Sequence, residues 1–514
     1  MSSPSPRLSV EYLTQIGLST CASSTRASSS TARMPETGGE PAVPNGGGAA
    51  ASAVVGAVPG GGNTKAGKKN KKGEKKQMID LAPPHGTRDF FPEEMRSQKW
   101  LFDKFSGTAK RFGFELYDAP VLENVALYER KAGEEITEQM YNFIDKDGAS
   151  VTLRPEMTPS LARMVLNLMR EETGQMSAIL PLKWYSIPQC WRFETTQRGR
   201  KREHYQWNMD MIGVENITAE AELLAAVVDF FESVGLTSED IKIKVNSRKV
   251  LGFVLAKAGV SDEQFAAATV IIDKQDKIGA AECKKQLNEC LGLAPDTCDR
   301  IVDATAAETI ERFAEIAEAT ESEEVRELQE LFSFAKDGGW VDWLVFDASV
   351  VRGLAYYTGI VFEANDRKGE FRAICGGGRY DRLLSLYGAT KPIPMVGFGF
   401  GDCVIMELLK ERGLLPKIGQ QTEYLVCAFN KDMMGPAMSV ARELRKAGKT
   451  VLFYQQVAKK IGNAFSYADR VGAQYVALVA PGEWEKGEVR IKDLHEEDKD
   501  KKEKDVKFDD LKNL

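Results

Sequence analysis

The sequence predicts an α+β fold. An antiparallel sheet with helices is interrupted by a helical insertion and followed by a smaller α/β domain at the C-terminal end. Three observations predict it. LKWYSIPQCWRFE (182–194) and HYQWNMDMIGVE (204–215) read as strands joined by a basic turn, so they pair antiparallel. Residues from about 240 to 335 are rich in Ala, Glu and Lys and keep helical spacing, as in AETIERFAEIAEATESEEVRELQELFSFA (307–335). From 421 onward strand and helix alternate, which implies βαβ units and a small parallel or mixed sheet.

Taken in order, residues 1–35 hold ten Ser, four Thr, three Arg and one acidic residue, Glu11. That is the composition of an organellar transit peptide, and Met34 offers a second start that would omit it and leave a cytoplasmic form. Residues 36–78 read as a linker, first rich in Gly, Ala and Pro, then basic in TKAGKKNKKGEKK (64–76). The folded part starts near Ile79. FPEEMRSQKWLFDKFSGTAKRFG (91–113) has helical spacing and stops at Gly113; FELYDAPVLE (114–123) is extended; VTLRPEMTPSLARMVLNLM (151–169) is a strand turning into a helix. Strand-like, Gly-rich sequence returns over 344–402. The predicted segments are 79–240 and 339–415 for the sheet domain, 241–338 for the helical insertion and 421–514 for the last domain. The mixed-charge stretch HEEDKDKKEKD (495–505) reads as a solvated surface segment.

Composition narrows the chemistry. A net charge of −7 means that any nucleic-acid contact must come from local patches. No apolar run is long enough for a membrane helix. The eight cysteines form no CxxC pair, so neither a disulfide framework nor a zinc site is expected. Only His85, His204 and His495 are present, which disfavours a His base or His metal cluster.

Against this acidic background, RFETTQRGRKREHYQ (192–206) gathers Arg192, Arg198, Arg200, Lys201 and Arg202. Arginine suits a polyphosphate because its planar fork makes two parallel hydrogen bonds to phosphate oxygens. Arg192, Arg200 and Arg352, the last in VRGLAYYTG (351–359), could converge on one anion. Glu156 in TLRPEMT (152–158) and Asp210 could hold an ammonium, and Tyr356 and Tyr357 could line a side-chain pocket. Gly376 to Gly378 in GGGRYD (376–381) would form a glycine floor for a flat ligand. For any one Arg alone, an Arg/Glu network tying strands together is the simpler account. Three such clusters together point to an enzyme or binder of an anionic, phosphorylated ligand.

At these residues the chain resembles the histidyl-tRNA synthetases, class II aminoacyl-tRNA synthetases, across 83–514. PHGTRDFFPEEM (84–95) with Pro120 in APVLE is similar to the family's dimer-forming first motif. TLRPEMT and WRFE with its QRGRKRE loop follow, and RGLAYYTG with CGGGRYDRLL (375–384) resembles the two histidine-specific signatures. The wording RGLAYYTGIVFE and GFGFGDCVI is most like the organellar branch of photosynthetic eukaryotes, delivered to chloroplast, mitochondrion or both.

The resemblance implies a class II catalytic domain, a C-terminal anticodon-binding domain and a homodimer. It implies activation of L-histidine by ATP to histidyl-adenylate and pyrophosphate, then transfer to tRNA(His). Magnesium would arrive on the ATP phosphates. Arg192 should bind the α-phosphate and the substrate carboxylate, with Arg352 facing it from the other side in place of a metal. Arg200 should hold the outer phosphates, Glu194 lie near the adenine, and Gly377 belong to the ATP floor. Glu156, the Met157 backbone and Thr158 should bind the amino group; Gln206, Asp210, Tyr356 and Tyr357 should frame the ammonium and imidazole. Two positions depart from the family. Val404 stands where the third motif usually has Arg, so Arg379 is expected to assist the outer phosphates, and Ala355 replaces the Asp of RGLDYY. A regulatory paralogue that binds histidine or tRNA without ligating them is the alternative.

Overall fold

Pro92 opens the first helix, Pro92–Arg111, at a position whose amide needs no partner. Glu93 and Glu94 in its first turn and Lys110 and Arg111 in its last complement the helix dipole. Leu101, Phe105 and Ala109, at fourfold spacing, are buried on its inner stripe. The chain is described by a computed structural model over residues 79–129, 137–169, 176–350, 356–457, 460–498 and 502–514, which form one unit, Ile79–Leu514. The transit-peptide and linker expectations, Arg352 and Ala355 lie outside these residues.

Twelve strands follow before the last domain. They are β1 (Glu115–Leu116), β2 (Leu122–Asn124), β3 (Tyr141–Ile144), β4 (Ser150–Leu153), β5 (Leu182–Ser186), β6 (Gln189–Trp191), β7 (Glu203–Ile212), β8 (Ile241–Ser247), β9 (Leu344–Phe346), β10 (Ile360–Asp366), β11 (Cys375–Arg379) and β12 (Met395–Gly401). Nine of them form one sheet in the order β1-β5-β7-β12-β11-β10-β8-β9, with β6 also paired to β7. The pairings are antiparallel except β1 with β5 and β8 with β9. The strands predicted at 182–194 and 204–215 pair as expected, Trp184 opposite Asp210 and Cys190 opposite His204. A small sheet, β2-β4-β3, carries TLRPEMT into the helix Thr158–Asn167.

One face of the large sheet is apolar. Trp207, Met209 and Met211 of β7, Phe398 and Phe400 of β12 and Phe362 of β10 join the helix Thr218–Ser233 and the first helix in the main core. Trp207 stacks on Phe105 at 4.7 Å, so the sheet and the first helix share one aromatic layer.

The insertion begins later than its composition suggests. Residues 241–247 are β8, paired through seven residues with β10, and only from Arg248 does the chain turn helical. The alternating burial of IKIKVNS is a strand's, and the helical average of the longer window hides it. Its helices are capped: Ser247, Ser261, Thr309 and Ser322 each accept an amide hydrogen bond at a helix start. Each such cap contributes about 1 kcal/mol.

The last domain is a five-stranded mixed sheet of β13 (Tyr424–Ala428), β14 (Val451–Phe453), β15 (Tyr475–Val479), β16 (Glu488–Asp493) and β17 (Glu503–Lys507), in the order β14-β13-β15-β16-β17. β17 takes up the end of the 495–505 stretch, whose described residues are mostly exposed, as expected of a solvated surface segment. Its charges serve as cross-strand partners, with Asp505 opposite Arg490 at 2.9 Å and Glu503 opposite Lys492 at 2.6 Å. No helix among the described residues is long and apolar enough to cross a membrane.

Candidate functional site

The face of the large sheet opposite the main core carries a run of polar side chains beside a smaller apolar cluster that includes Ile212, Val361 and Met395. Side chains alternate along a strand, so Gln206, Asn208 and Asp210 leave β7 on the side away from Trp207, Met209 and Met211. Register carries that face across the sheet. Asp210 is opposite Gly397, Asn208 opposite Gly399, and these lead to Gly378 and Gly376 of β11. A Cβ at Gly397 would lie 2.1 Å from Asp210 Oδ1, and one at Gly399 would lie 2.3 Å from Gln206 Nε2. The glycines therefore let polar side chains from β7 lie across the sheet backbone.

Around this floor the structure brings together most of the residues expected there. The Tyr380 hydroxyl donates to Asp210 Oδ1. Tyr356, Tyr357 and Tyr380 pack as a cluster, with ring centroids 4.9 to 6.3 Å apart. Burial, then the charge of Glu156, pushes the Tyr356 hydroxyl well above its ordinary pKa, and Thr158 hydrogen-bonds it. Burial and the charge of Asp210 do the same to Tyr117 and Tyr380. Glu156 is buried, with its backbone carbonyl accepting from the Tyr128 hydroxyl at 3.1 Å. The Met157 side chain is buried in the apolar cluster under this face, so only its backbone is left for a ligand.

Arg192 joins the second wall to the first. Its Nε donates to the Pro155 carbonyl at 2.9 Å, and its amide to the Arg202 carbonyl. Thus TLRPEMT and the basic loop are tied at the residue expected to meet the α-phosphate. Beside it, burial and then the Arg192 charge pull the His204 pKa down to about 4.

The basic loop is a tight turn. Gln197 and Arg200 exchange backbone hydrogen bonds across Gly199, whose φ is +71°. Arg200 is ion-paired to Glu194, so the two residues expected near ATP meet each other. Arg198 pairs with Glu411 at 2.6 Å, reaches Glu407 at 3.6 Å and covers the Phe371 ring at 4.6 Å. Val404 is the seat of the loop: a Cβ on Gly199 would sit 3.1 Å from its Cγ2.

Two expected site residues turn away. On β11, Gly377 and Arg379 alternate with Gly376 and Gly378, so they face the core side. A Cβ at Gly377 would meet Phe398 at 2.6 Å and Phe362 at 2.8 Å. Arg379 is buried and makes five hydrogen bonds, two to Glu220 at 2.6 Å and others to the Val214 and Asn216 carbonyls and Asp381. Its donors are consumed, which corrects its assignment to the outer phosphates. Tyr380, Tyr117, Asn208 and His204 belong to the face but were not expected there. The two-residue alternation of GGGRYD, with Gly376, Gly378 and Tyr380 on one side, is the signal that would have found Tyr380.

Comparison with known proteins gives the family and the fold. A family model described as histidyl-tRNA synthetase matches residues 86–401, and one described as an anticodon binding domain matches 423–514. The chain is 50% identical over 416 residues to the chloroplastic/mitochondrial histidine–tRNA ligase of Arabidopsis thaliana, covering 81% of this chain and 84% of that one. It is 37% identical over 415 residues to the histidine–tRNA ligase of Haloarcula marismortui, covering 80% and 92%. A histidyl-tRNA synthetase structure from a Nostoc species superposes with a TM-score of 0.67 at 24% identity, over 85% of this chain and 99% of that one. The apo histidyl-tRNA synthetase of S. aureus gives 0.63 at 22% identity, with the same coverage.

Proposed function

The chain belongs to the histidyl-tRNA synthetase family, and we propose that the polar sheet face is where L-histidine and ATP react. The enzyme is a histidine–tRNA ligase with a C-terminal anticodon-binding domain. One histidine carboxylate oxygen attacks the α-phosphorus, the bond to the β-phosphate breaks, and pyrophosphate leaves. The terminal ribose hydroxyl of tRNA(His) then attacks the carbonyl of the adenylate and AMP leaves. Both steps build negative charge on oxygen, so fixed cations and positioning supply most of the catalysis.

The observation that carries this reading is the junction at Arg192. Its guanidinium holds the Glu156 loop, its amide bonds the basic loop, and its charge acts on His204 of β7. The Arg192 Nη groups would take the α-phosphate and the carboxylate, with Arg352 as the opposing cation. Glu156, Thr158 and the Met157 backbone would hold the ammonium. The Asp210 carboxylate, kept in place by Tyr380, would accept from the imidazole or ammonium, with Tyr356 and Tyr357 as walls and Gln206 at the carboxylate end. Glu194 and Arg200 would exchange their mutual pairing for the adenine and the outer phosphates. Magnesium would arrive on the ATP phosphates.

A homodimer fits the edge position of β1, where Leu116 is 67% exposed, and the exposed Leu122, Phe143 and Ile179. Organellar delivery through residues 1–35 fits the Arabidopsis relative, and translation from Met34 would give a cytoplasmic form. Histidine-dependent ATP–pyrophosphate exchange and charging of tRNA(His) by the purified protein test the activity. A folded protein that binds histidine yet exchanges no pyrophosphate would instead be a regulator.

A further inference from the structure

His204, Gln206 and Asn208 succeed one another at two-residue spacing on the site face of β7 and are joined in a ladder. Asn208 Nδ2 donates to the Gln206 backbone carbonyl at 3.1 Å, Gln206 Nε2 donates to Asn208 Oδ1 at 2.8 Å, and His204 Nε2 lies 3.3 Å from Gln206 Oε1. The direction of every link follows from one end. A backbone carbonyl only accepts, so Asn208 must turn its NH2 toward it and its oxygen toward Gln206. Gln206 must then turn its NH2 toward Asn208 and its oxygen toward His204. His204 Nε2 therefore carries the proton.

The Gln206 amide needs this support because the floor beneath it is bare. Its Nε2 lies where any Cβ at residue 399 would stand, so no side chain can buttress it from below. The groups around His204 favour the neutral ring. Cys190 is its partner on β6, Arg192 and Arg88 repel a second proton, and Asp402 opposes them.

We propose that His204 is a positioning residue: by donating from Nε2 to Gln206 Oε1 it fixes the Gln206 amide with its NH2 edge along the glycine floor. The second N–H of that NH2 is then a ready donor to an oxygen of the histidine carboxylate or of the adenylate carbonyl. An amide turned over would present its carbonyl to that oxygen and repel it. The proposal rests on the reading that histidine and ATP meet on this face.

The test uses full-length protein and the variants His204→Phe, which keeps a ring and loses the donor, and His204→Gln, which restores one. In histidine-dependent pyrophosphate exchange, His204→Phe should lower kcat about 10-fold with the KM for ATP within twofold, and His204→Gln should recover most of the loss. A His204→Phe enzyme with kcat within twofold of the parent overturns the proposal. With only three histidines in the chain, nitrogen-15 spectra of histidine-labelled wild-type protein give a second reading that needs no variant to fold. They should show the Nε2–H tautomer for His204, and the Nδ1–H tautomer would overturn the ladder. Exchange missing from the wild type would instead overturn the ligase reading, leaving the spectra to decide the ladder.

Discussion

Arg379 and Glu220 meet edge to edge, Nε to Oε1 and Nη2 to Oε2 both at 2.6 Å, and both side chains are almost fully buried. The pair ties β11 to the helix Thr218–Ser233 from the side of the sheet away from the polar face. Burial raises the Glu220 carboxyl above its ordinary pKa even with Arg379 beside it, and Arg379 is the main group that holds it charged.

Removing one partner of such a pair leaves the other charged and dry, a cost of about 3–5 kcal/mol. Arg379→Met and Glu220→Gln should therefore lower the urea midpoint strongly. Protein that remains folded should keep its KM for ATP within twofold. A large rise in that KM without loss of stability would return Arg379 to the phosphates.

Tyr380 holds Asp210 from the opposite flank of the floor. Deleting its hydroxyl takes one donor away from a buried carboxylate, at a cost of about 1–3 kcal/mol. Tyr380→Phe should raise the KM for histidine about 10-fold and leave the KM for ATP near its parent value. Asp210→Asn should affect histidine more severely, since it removes the acceptor charge itself. Steady-state exchange with each substrate varied in turn separates the two effects.

How much of this was legible depended on period. The antiparallel pairing of 182–194 with 204–215 and the alternation after 421 are carried by local patterns, and both were readable. Arg379 misled because a motif read as a block ignores that neighbours in a strand point to opposite faces; counting by twos from Gly376 would have kept Tyr380 and discarded Arg379. β8 and β17 were hidden for a different reason. One is a short strand inside a helical average, and the other is an edge strand whose charges pair only with Arg490 and Lys492 once the sheet exists. The role of Val404 was not readable at all, because its contact with Gly199 joins distant parts of the chain.

That contact gives a third prediction. With Val404 under its tip, the basic loop is held to the helix Asp402–Glu411 by Arg198 and its two carboxylates. Exposed pairs add little to stability, about 0–1 kcal/mol, so their removal should leave the melting curve almost unchanged. Arg198→Glu sets three like charges together and should lift the loop, raising the KM for ATP several-fold while the KM for histidine stays level. Adding Glu411→Arg should restore most of the ATP affinity. Two single changes whose effects simply add would show that the pair does not hold the loop.

The last prediction concerns pH. His204 has a folded pKa of about 4 against an ordinary value of 6.5, because burial and the Arg192 charge disfavour its protonated form while Asp402 opposes them. Between these values the unfolded chain takes up a proton that the native state refuses, so acid favours unfolding. The contribution is intact above about pH 6.5, declines as pH falls toward about 4, and is constant below that. Each pKa unit is worth about 1.4 kcal/mol, so going from pH 7.5 to 5 should cost about 2 kcal/mol through this group. Urea titrations of the wild type and His204→Phe at both pH values isolate it from the carboxylates, which are common to the two proteins. The wild type should lose about 2 kcal/mol more than the variant. Parallel losses in the two would mean that His204 takes up its proton in the folded enzyme as readily as in the open chain.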